Sequence, residues 1–127
     1  MDTSELKYDA NGLISAIVIH PETREVLMLG YMNAEALRRT IETGLVTFWS
    51  RSRQKFWVKG ETSGQTLNLK WIRIDCDMDA LLVAADPVGP VCHEGYLSCF
   101  YRELQDGEWV TIAERMIDPE ELYGKKG

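Results

Sequence analysis

The chain has no apolar run approaching the length that a membrane-spanning helix needs. Its first residues, Met1-Asp2-Thr3-Ser4-Glu5-Leu6-Lys7, lack the basic region and apolar stretch of a secretory signal. These two absences argue against a membrane protein and point to the cytoplasm. A basic excess is also missing: 14 Lys and Arg stand against 20 Asp and Glu, for a net charge of −6. That balance weighs against general nucleic-acid binding, which needs a basic footprint. Any phosphate must therefore be held by a local cluster of cations. Only three cysteines and two histidines are present. An odd cysteine count without a secretory signal argues against a disulfide framework, and such cysteines more often bind metal or react. There is no repeat and no low-complexity tract, and no segment matches a Walker phosphate loop.

What is present suits one globular domain over 1–127, with 45% apolar and 27% charged residues. Leu13 to Ile19 and Val26 to Leu29 are short apolar runs rich in β-branched residues, and His20-Pro21-Glu22-Thr23-Arg24 reads as the turn of a hairpin. One helix is well marked. Asn33 caps it, Met32 and Leu37 occupy the staple positions, Leu37 and Ile41 face inward, and Gly44 ends it. Further strands are expected over Val46 to Ser50, Phe56 to Lys59, Thr66 to about Asp77, and Ala80 to Ala85. Asp86-Pro87-Val88-Gly89-Pro90 should break the last of these. Ser98 to Leu104 and Glu108 to Ala113 form a second hairpin around Asp106-Gly107, a favoured turn pair. The expected class is mainly β, bordering on α+β, with antiparallel strands and one helix. A polar tail from about 118 to 127 is expected to fray.

The chemistry concentrates in Asp75-Cys76-Asp77-Met78-Asp79, Cys92-His93 and Cys99. Carboxylates suit hard cations such as Mg²⁺, whereas thiolates and imidazole suit Zn²⁺. If the strand through Trp71 runs on to residue 79, Asp75, Asp77 and Asp79 share one face and Cys76 points from the other. Three carboxylates on one face repel unless solvated or bridged by a cation. An acidic, solvated strand end is the competing reading. Cys76 would then need partners from elsewhere, either Cys92 and Cys99 of the same chain or those of a second subunit. Each cysteine alone could be a small buried hydrophobe. His93 suits a general base, with zinc ligand and core histidine as alternatives.

Trp49-Ser50-Arg51-Ser52-Arg53-Gln54-Lys55 is the one dense basic run. Arg51 and Arg53 with the Ser50 and Ser52 hydroxyls could grip a phosphate, and Trp49 or Trp57 could stack on a base. A solvated hairpin turn is the plainer alternative. Lys59-Gly60-Glu61-Thr62-Ser63-Gly64 follows, with glycines that would let backbone N–H groups approach an anion. Together the two segments suggest a ligand with more than one phosphate.

These motifs, in this order, resemble the phosphoribosyl-AMP cyclohydrolase family of histidine biosynthesis over about residues 13 to 104. The resemblance rests on Val26-Leu27-Met28-Leu29-Gly30-Tyr31-Met32-Asn33, Thr43-Gly44, Trp49 to Arg53 and Trp57 to Gly64. It continues in Asp75 to Asp79, Cys92-His93-Glu94-Gly95 and Ser98-Cys99-Phe100-Tyr101-Arg102. It implies hydrolysis of the N1–C6 bond of 1-(5-phosphoribosyl)-AMP by an intertwined homodimer that uses zinc and magnesium. Carried over by position, Cys92 and Cys99 would bind zinc with Cys76 of the partner subunit, and Asp75, Asp77 and Asp79 would bind Mg²⁺. His93 would move the proton, and Trp49, Ser50, Arg51, Ser52, Arg53, Lys59, Gly60, Glu61, Ser63 and Gly64 would bind substrate. Glu94 stands where that family usually has Thr, and the absence of a pyrophosphohydrolase domain implies a monofunctional chain.

Two other classes compete. A zinc nucleobase or nucleoside deaminase attacks comparable ring carbons, but its His-x-Glu and Pro-Cys-x-x-Cys signature is absent. A small zinc-stabilised binding module would fill every metal position with protein and unfold without metal.

Overall fold

The computed structural model describes residues 5–61 and 63–117. Thr62 and the expected polar tail lie outside the described residues. The first hairpin forms as its apolar runs predict, with β1 (Ile14–Ile19) antiparallel to β2 (Val26–Met32). His20 organises the connection, its Nδ1 accepting from the N–H groups of Glu22 (3.1 Å) and Thr23 (3.3 Å).

Helix α1 (Ala34–Thr43) follows immediately. Asn33 Oδ1 accepts from the Ala36 N–H at 2.8 Å, and Gly44 closes the helix at φ 78°, a left-handed conformation that glycine adopts without strain. Met32 and Leu37 are both buried, as the staple requires. Ile41, expected to face inward, is instead 38% exposed. The buried arc is Ala36, Leu37 and Thr40, and Ile41 sits at its rim. Thr40 joins the helix to the next strand. Its buried Oγ1 donates to the Ala36 carbonyl (2.9 Å) and accepts from the Thr47 N–H (2.9 Å).

Strands β3 (Thr47–Ser50) and β4 (Lys55–Val58) make a small hairpin. Arg39 of the helix lies over its Phe56 ring at 3.9 Å. Strands β5 (Leu67–Ile74) and β6 (Ala80–Pro87) pair antiparallel and complete a sheet of order β2-β1-β6-β5. The β1–β6 contact is parallel, with Ser15 opposite Ala80 and Ile19 opposite Ala84. Strands β7 (Arg102–Gln105) and β8 (Glu108–Thr111) form a third, separate pair. Asp106 (φ 50°) and Gly107 (φ 81°) make its tight turn. The described fold is thus mainly β with one helix and mostly antiparallel pairing. No described helix is long and apolar enough to cross a membrane.

Several expected boundaries move. β6 runs through Pro87 instead of ending at Ala85. The strand expected from Ser98 begins only at Arg102, because Ser98 and Cys99 bond sideways to β2. β8 ends at Thr111. β5 stops at Ile74, well short of Asp77, because Asp75 Oδ1 accepts the N–H groups of Asp79 (2.9 Å) and Ala80 (3.1 Å). Such local side-chain to backbone bonds favour a turn over a continuing strand.

The core lies between the helix and the four-stranded sheet and takes in the β3 side. Ala16, Val18, Leu27, Leu37, Val46, Phe48 and Val83 are essentially inaccessible to solvent. Gly30 is the tight point. A Cβ there would meet the Phe48 ring at 2.5 Å, so β2 and β3 approach this closely only because residue 30 has no side chain. Gly30→Ala should therefore destabilise the fold by about 1–3 kcal/mol through overpacking. A urea midpoint equal to that of the parent chain would show that Phe48 can move aside freely.

Candidate functional site

The aspartates converge, but not by the strand pleat that the sequence suggested. Asp75 to Asp79 form the turn between β5 and β6, with Met78 in a left-handed conformation (φ 61°). Within this turn, oxygen atoms of Asp75, Asp77 and Asp79 all lie within 4.8 Å of one another. Desolvation acts to raise the Asp75 carboxyl, but the N–H bonds from Asp79 and Ala80 outweigh it and hold the group below its usual range. Asp79 is pushed up, first by its hydrogen bond with Asp75 and then by desolvation and the neighbouring negative charges. Three exposed carboxylates gathered this closely could serve a hard divalent cation as donors.

Cys76 sits exposed on the same turn, its Sγ 4.0 Å from Asp77 Oδ1. It is not on an opposite strand face, because β5 has already ended at Ile74. Among the described residues the aspartates are the only group of three or more His, Cys, Asp or Glu side chains gathered tightly enough to hold an ion. Cys76 does not join Cys92 and Cys99 within the chain.

Those two cysteines do meet. Residues 91–97 form a compact loop closed by bonds from Val91 N–H to the Leu97 carbonyl (3.1 Å) and from Cys92 N–H to the Tyr96 carbonyl (3.0 Å). The loop is hung on β2: Ser98 Oγ donates to the Val26 carbonyl at 2.6 Å and Cys99 N–H to the Leu27 carbonyl at 2.7 Å. The Glu94 N–H points at the Cys92 sulfur, 3.4 Å away. Desolvation by its surroundings pushes the Cys99 thiol up to about 11, and the adjoining Cys92 thiol adds to this while Lys59 opposes it. Lys59 is buried, and desolvation pulls its ammonium below its usual value against the pull of Cys99 and Cys92. Two thiols beside a buried cation could supply two of the four ligands of a tetrahedral thiolate site, and among the described residues no third thiol joins them.

His93 is largely exposed. It shares a cavity of about 500 Å³ with Ser50, Ser52, Arg53, Trp57 and Glu61. Its Nε2 lies 3.5 Å from Glu94 Oε2. Glu94 is also held by Arg115, 3.6 Å from its carboxylate, and Arg115 Nε donates to the Glu94 carbonyl at 2.9 Å.

The basic run divides. Arg53 faces the His93 cavity, whereas the Arg51 guanidinium stacks over Tyr31 at 4.0 Å and lines a second cavity of about 520 Å³ with Gly30, Tyr31 and Trp49. Ser50, Ser52 and Trp57 border both. The two arginines therefore do not close on a single point. The glycine loop is more self-contained than its composition suggests. Gly64 N–H donates to the Gly60 carbonyl (2.7 Å) and Gln65 N–H to Ser63 Oγ (3.2 Å). A Cβ at Gly60 would collide with the Gln65 backbone, so that glycine serves the loop's own folding. Tyr31 and Arg115 escaped the sequence reading. Tyr31 lies in the β2 run with nothing local to mark a role, and Arg115 acts on Glu94 from twenty-one residues away with no local pattern to betray it.

The chain matches the family described as phosphoribosyl-AMP cyclohydrolase over residues 28–101. It is similar to proteins of that name from Magnetococcus marinus, 52% identical over 98% of this chain and 96% of the relative. The one from Methanosarcina mazei is 55% identical over 97% and 99%, and the one from Paracoccus denitrificans is 55% identical over 87% and 92%. A likeness of this extent spans β1 to β8, the aspartate turn and the cysteine loop alike, and with it the chain belongs to the phosphoribosyl-AMP cyclohydrolase family.

Proposed function

We propose that this chain opens the adenine ring of 1-(5-phosphoribosyl)-AMP by hydrolysing its N1–C6 bond, a step of histidine biosynthesis. The observation that carries this reading is one cavity bordered by His93, Arg53, Ser50, Ser52 and Trp57, with Cys92 next to His93 in the chain. Family membership supplies the reaction, and the cavity supplies groups suited to it.

Substitution at N1 leaves C6 electron-poor, so the reaction needs a held ring, a basic water and a proton carrier. Trp57 offers an aromatic platform on the wall that both cavities share. The substrate has two phosphates, and the division of the basic run suits it: Arg53 for one end and Arg51, braced on Tyr31, for the other. Binding energy from both ends then fixes the ring near His93. His93 takes the proton of the attacking water and returns it to N1 as the C6–N1 bond breaks, leaving a carboxamide at C6 and releasing no ammonia. Glu94, itself held by Arg115, fixes the direction of the imidazole. Cys92 and Cys99, with Cys76 of the partner subunit, would hold zinc, which when bound lowers the pKa of a water to about 7. Asp75, Asp77 and Asp79 would hold Mg²⁺, whose charge favours the phosphates. The active unit in this reading is a homodimer.

The direct test is the ultraviolet absorbance on mixing purified protein with phosphoribosyl-AMP, because ring opening alters the chromophore. A spectral change without ammonia is expected. Ammonia release would return the chain to the deaminase class, and an unchanged spectrum would leave it a binding module.

Arg51→Ala and Arg53→Ala should each lower kcat/KM by about one to two decades, since a charge-assisted contact is worth roughly 1.5–3 kcal/mol. Both side chains sit on an exposed turn, so thermal stability should barely change. Parent-like kinetics in both variants would remove the run from the substrate site.

A shared zinc site permits complementation. Cys76→Ser and Cys92→Ser chains, each inactive alone, should on random subunit exchange regain about a quarter of parent activity, because half the dimers are mixed and each has one intact site. No recovery, with exchange verified by mass, would rule out ligands drawn from two chains.

A further inference from the structure

Arg51 also lines a third cavity, of about 450 Å³. Trp49 is common to this cavity and the second, and Asn11, Asn33 and Gln54 supply the rest of the polar wall, with Leu13 as its one aliphatic residue. The lining thus holds one charge, the Arg51 guanidinium, together with three carboxamides and an indole, and no carboxylate. In a chain with 20 acidic residues that exclusion is selective. A wall of this kind offers nothing anionic to a metal ion. It suits an anion that also carries hydroxyl groups.

The polar side chains of the wall have hydrogen-bonding capacity to spare. Stacking on Tyr31 engages the flat face of the Arg51 guanidinium and leaves its N–H groups, which lie in the plane, to donate. Among the described residues Arg51 enters no ion pair, whereas Arg38 and Arg39 of the helix are committed to Glu35. Gln54 Nε2 donates to the Arg51 carbonyl at 2.8 Å, which ties the two residues together and leaves Gln54 Oε1 to accept. Gln54 itself stands at φ 53°, uncommon for a glutamine, with its N–H bonded to the Ser50 carbonyl at 2.8 Å. Asn33 Oδ1 is taken by the Ala36 N–H, and its Nδ2 remains to donate. The Asn11 carboxamide bonds to no group among the described residues; only its backbone N–H is used, by Asp9 Oδ1 at 2.8 Å.

We infer that this cavity is a ribose 5-phosphate subsite, in which Arg51 takes the phosphate and the carboxamides of Asn11, Asn33 and Gln54 bind the sugar hydroxyls beside Trp49. The inference rests on the proposed ring opening for the substrate it serves, since phosphoribosyl-AMP carries a ribose 5-phosphate at each end of its base. The three cavities form a row through shared walls. Ser50, Ser52 and Trp57 join the His93 cavity to the second, and Trp49 and Arg51 join the second to the third. With one phosphate at Arg53 and the base against Trp57, the far ribose 5-phosphate falls at Arg51. A carboxamide donates and accepts at once, as a sugar hydroxyl does, so the two match group for group. A bare phosphate would leave these amides unmatched. A nucleotide with a single ribose phosphate can fill only one end of the row, so the subsite separates phosphoribosyl-AMP from AMP. Amides remote from the reacting carbon hold ground state and transition state alike, and so act on KM and not on kcat.

The test adds ribose 5-phosphate to the full chain and reads binding without turnover. Heteronuclear NMR follows the side-chain amide signals of Asn11, Asn33 and Gln54 and the Arg51 Nε–H. Saturable shifts at these signals are expected, with ribose and inorganic phosphate each binding about tenfold more weakly or worse. Asn33 is left intact because it caps the helix. Asn11→Asp and Gln54→Glu keep the shape of the wall and set a carboxylate against the phosphate, so each should weaken ribose 5-phosphate binding by about tenfold or more. Both positions are exposed, so thermal stability should barely change. With phosphoribosyl-AMP the same variants should raise KM by a similar factor and leave kcat within about twofold. Shifts confined to the surroundings of Arg53 and His93, no saturable shift at all, or inorganic phosphate binding as well as ribose 5-phosphate would each overturn the subsite. Parent-like affinity and KM in both variants would do the same. Ring opening alongside any of these results leaves the catalytic reading standing. Ribose 5-phosphate bound in this cavity of a protein that does not open phosphoribosyl-AMP sustains the subsite and sinks the catalytic reading alone.

Discussion

Two carbonyl groups of an edge strand hold the cysteine loop in place. β2 is the outermost strand of its sheet, so the carbonyls of Val26 and Leu27 are available to the loop. Ser98 Oγ and the Cys99 N–H take them. From that attachment the rest of the segment follows. The bonds at 91–97 and 92–96 turn the chain back on itself, and Met116 N–H reaches the Gly95 carbonyl at 2.8 Å from outside the loop. The placement of the two sulfurs is thus set by the sheet, through side-chain and backbone bonds, and not by any regular element of their own.

The aspartate turn works on the opposite principle. Its organisation is entirely local and electrostatic: one carboxylate, Asp75, accepts the turn's own N–H groups, and this places two further carboxylates beside it. The arrangement is satisfied at Asp75 and strained by like charge at Asp79. A bound cation relieves such repulsion. The cysteine loop is pinned to the sheet and the aspartate turn is organised by its own carboxylate, so the two groups differ in mechanics as well as in chemistry.

Much of the architecture was legible because the deciding signals were local. Asn33 and Gly44 bracket the helix, Asp106-Gly107 makes its turn, and the runs before and after His20 pair as a hairpin. Legibility failed where distant contacts decided. Ser98 and Cys99 look like strand residues until β2 offers them carbonyls. Ile41 looks like a core residue because a groove at its edge cannot be seen in helical periodicity. The Asp75 to Asp79 case is more instructive. The alternation that suggested a shared strand face is real, yet the three side chains meet because a turn curls them together. The expected convergence of the three side chains holds, while the inferred backbone does not. The partition of Arg51 and Arg53 between two cavities was invisible for a similar reason, since Tyr31 lies in another strand.

The parallel pairing of β1 with β6 sets an order of events during synthesis. Ser15 cannot meet Ala80 until the chain beyond the aspartate turn has emerged, whereas β1 and β2, the helix and the β3–β4 hairpin can form from the first half. Closing so long a loop is entropically slow compared with making the hairpins. A nascent chain stalled before Ala80 therefore carries β1 with an unpaired edge, a template for strands of other chains. The same step that completes the sheet brings the aspartate turn into its final place, so the chain covers that edge at the moment it assembles its acidic turn.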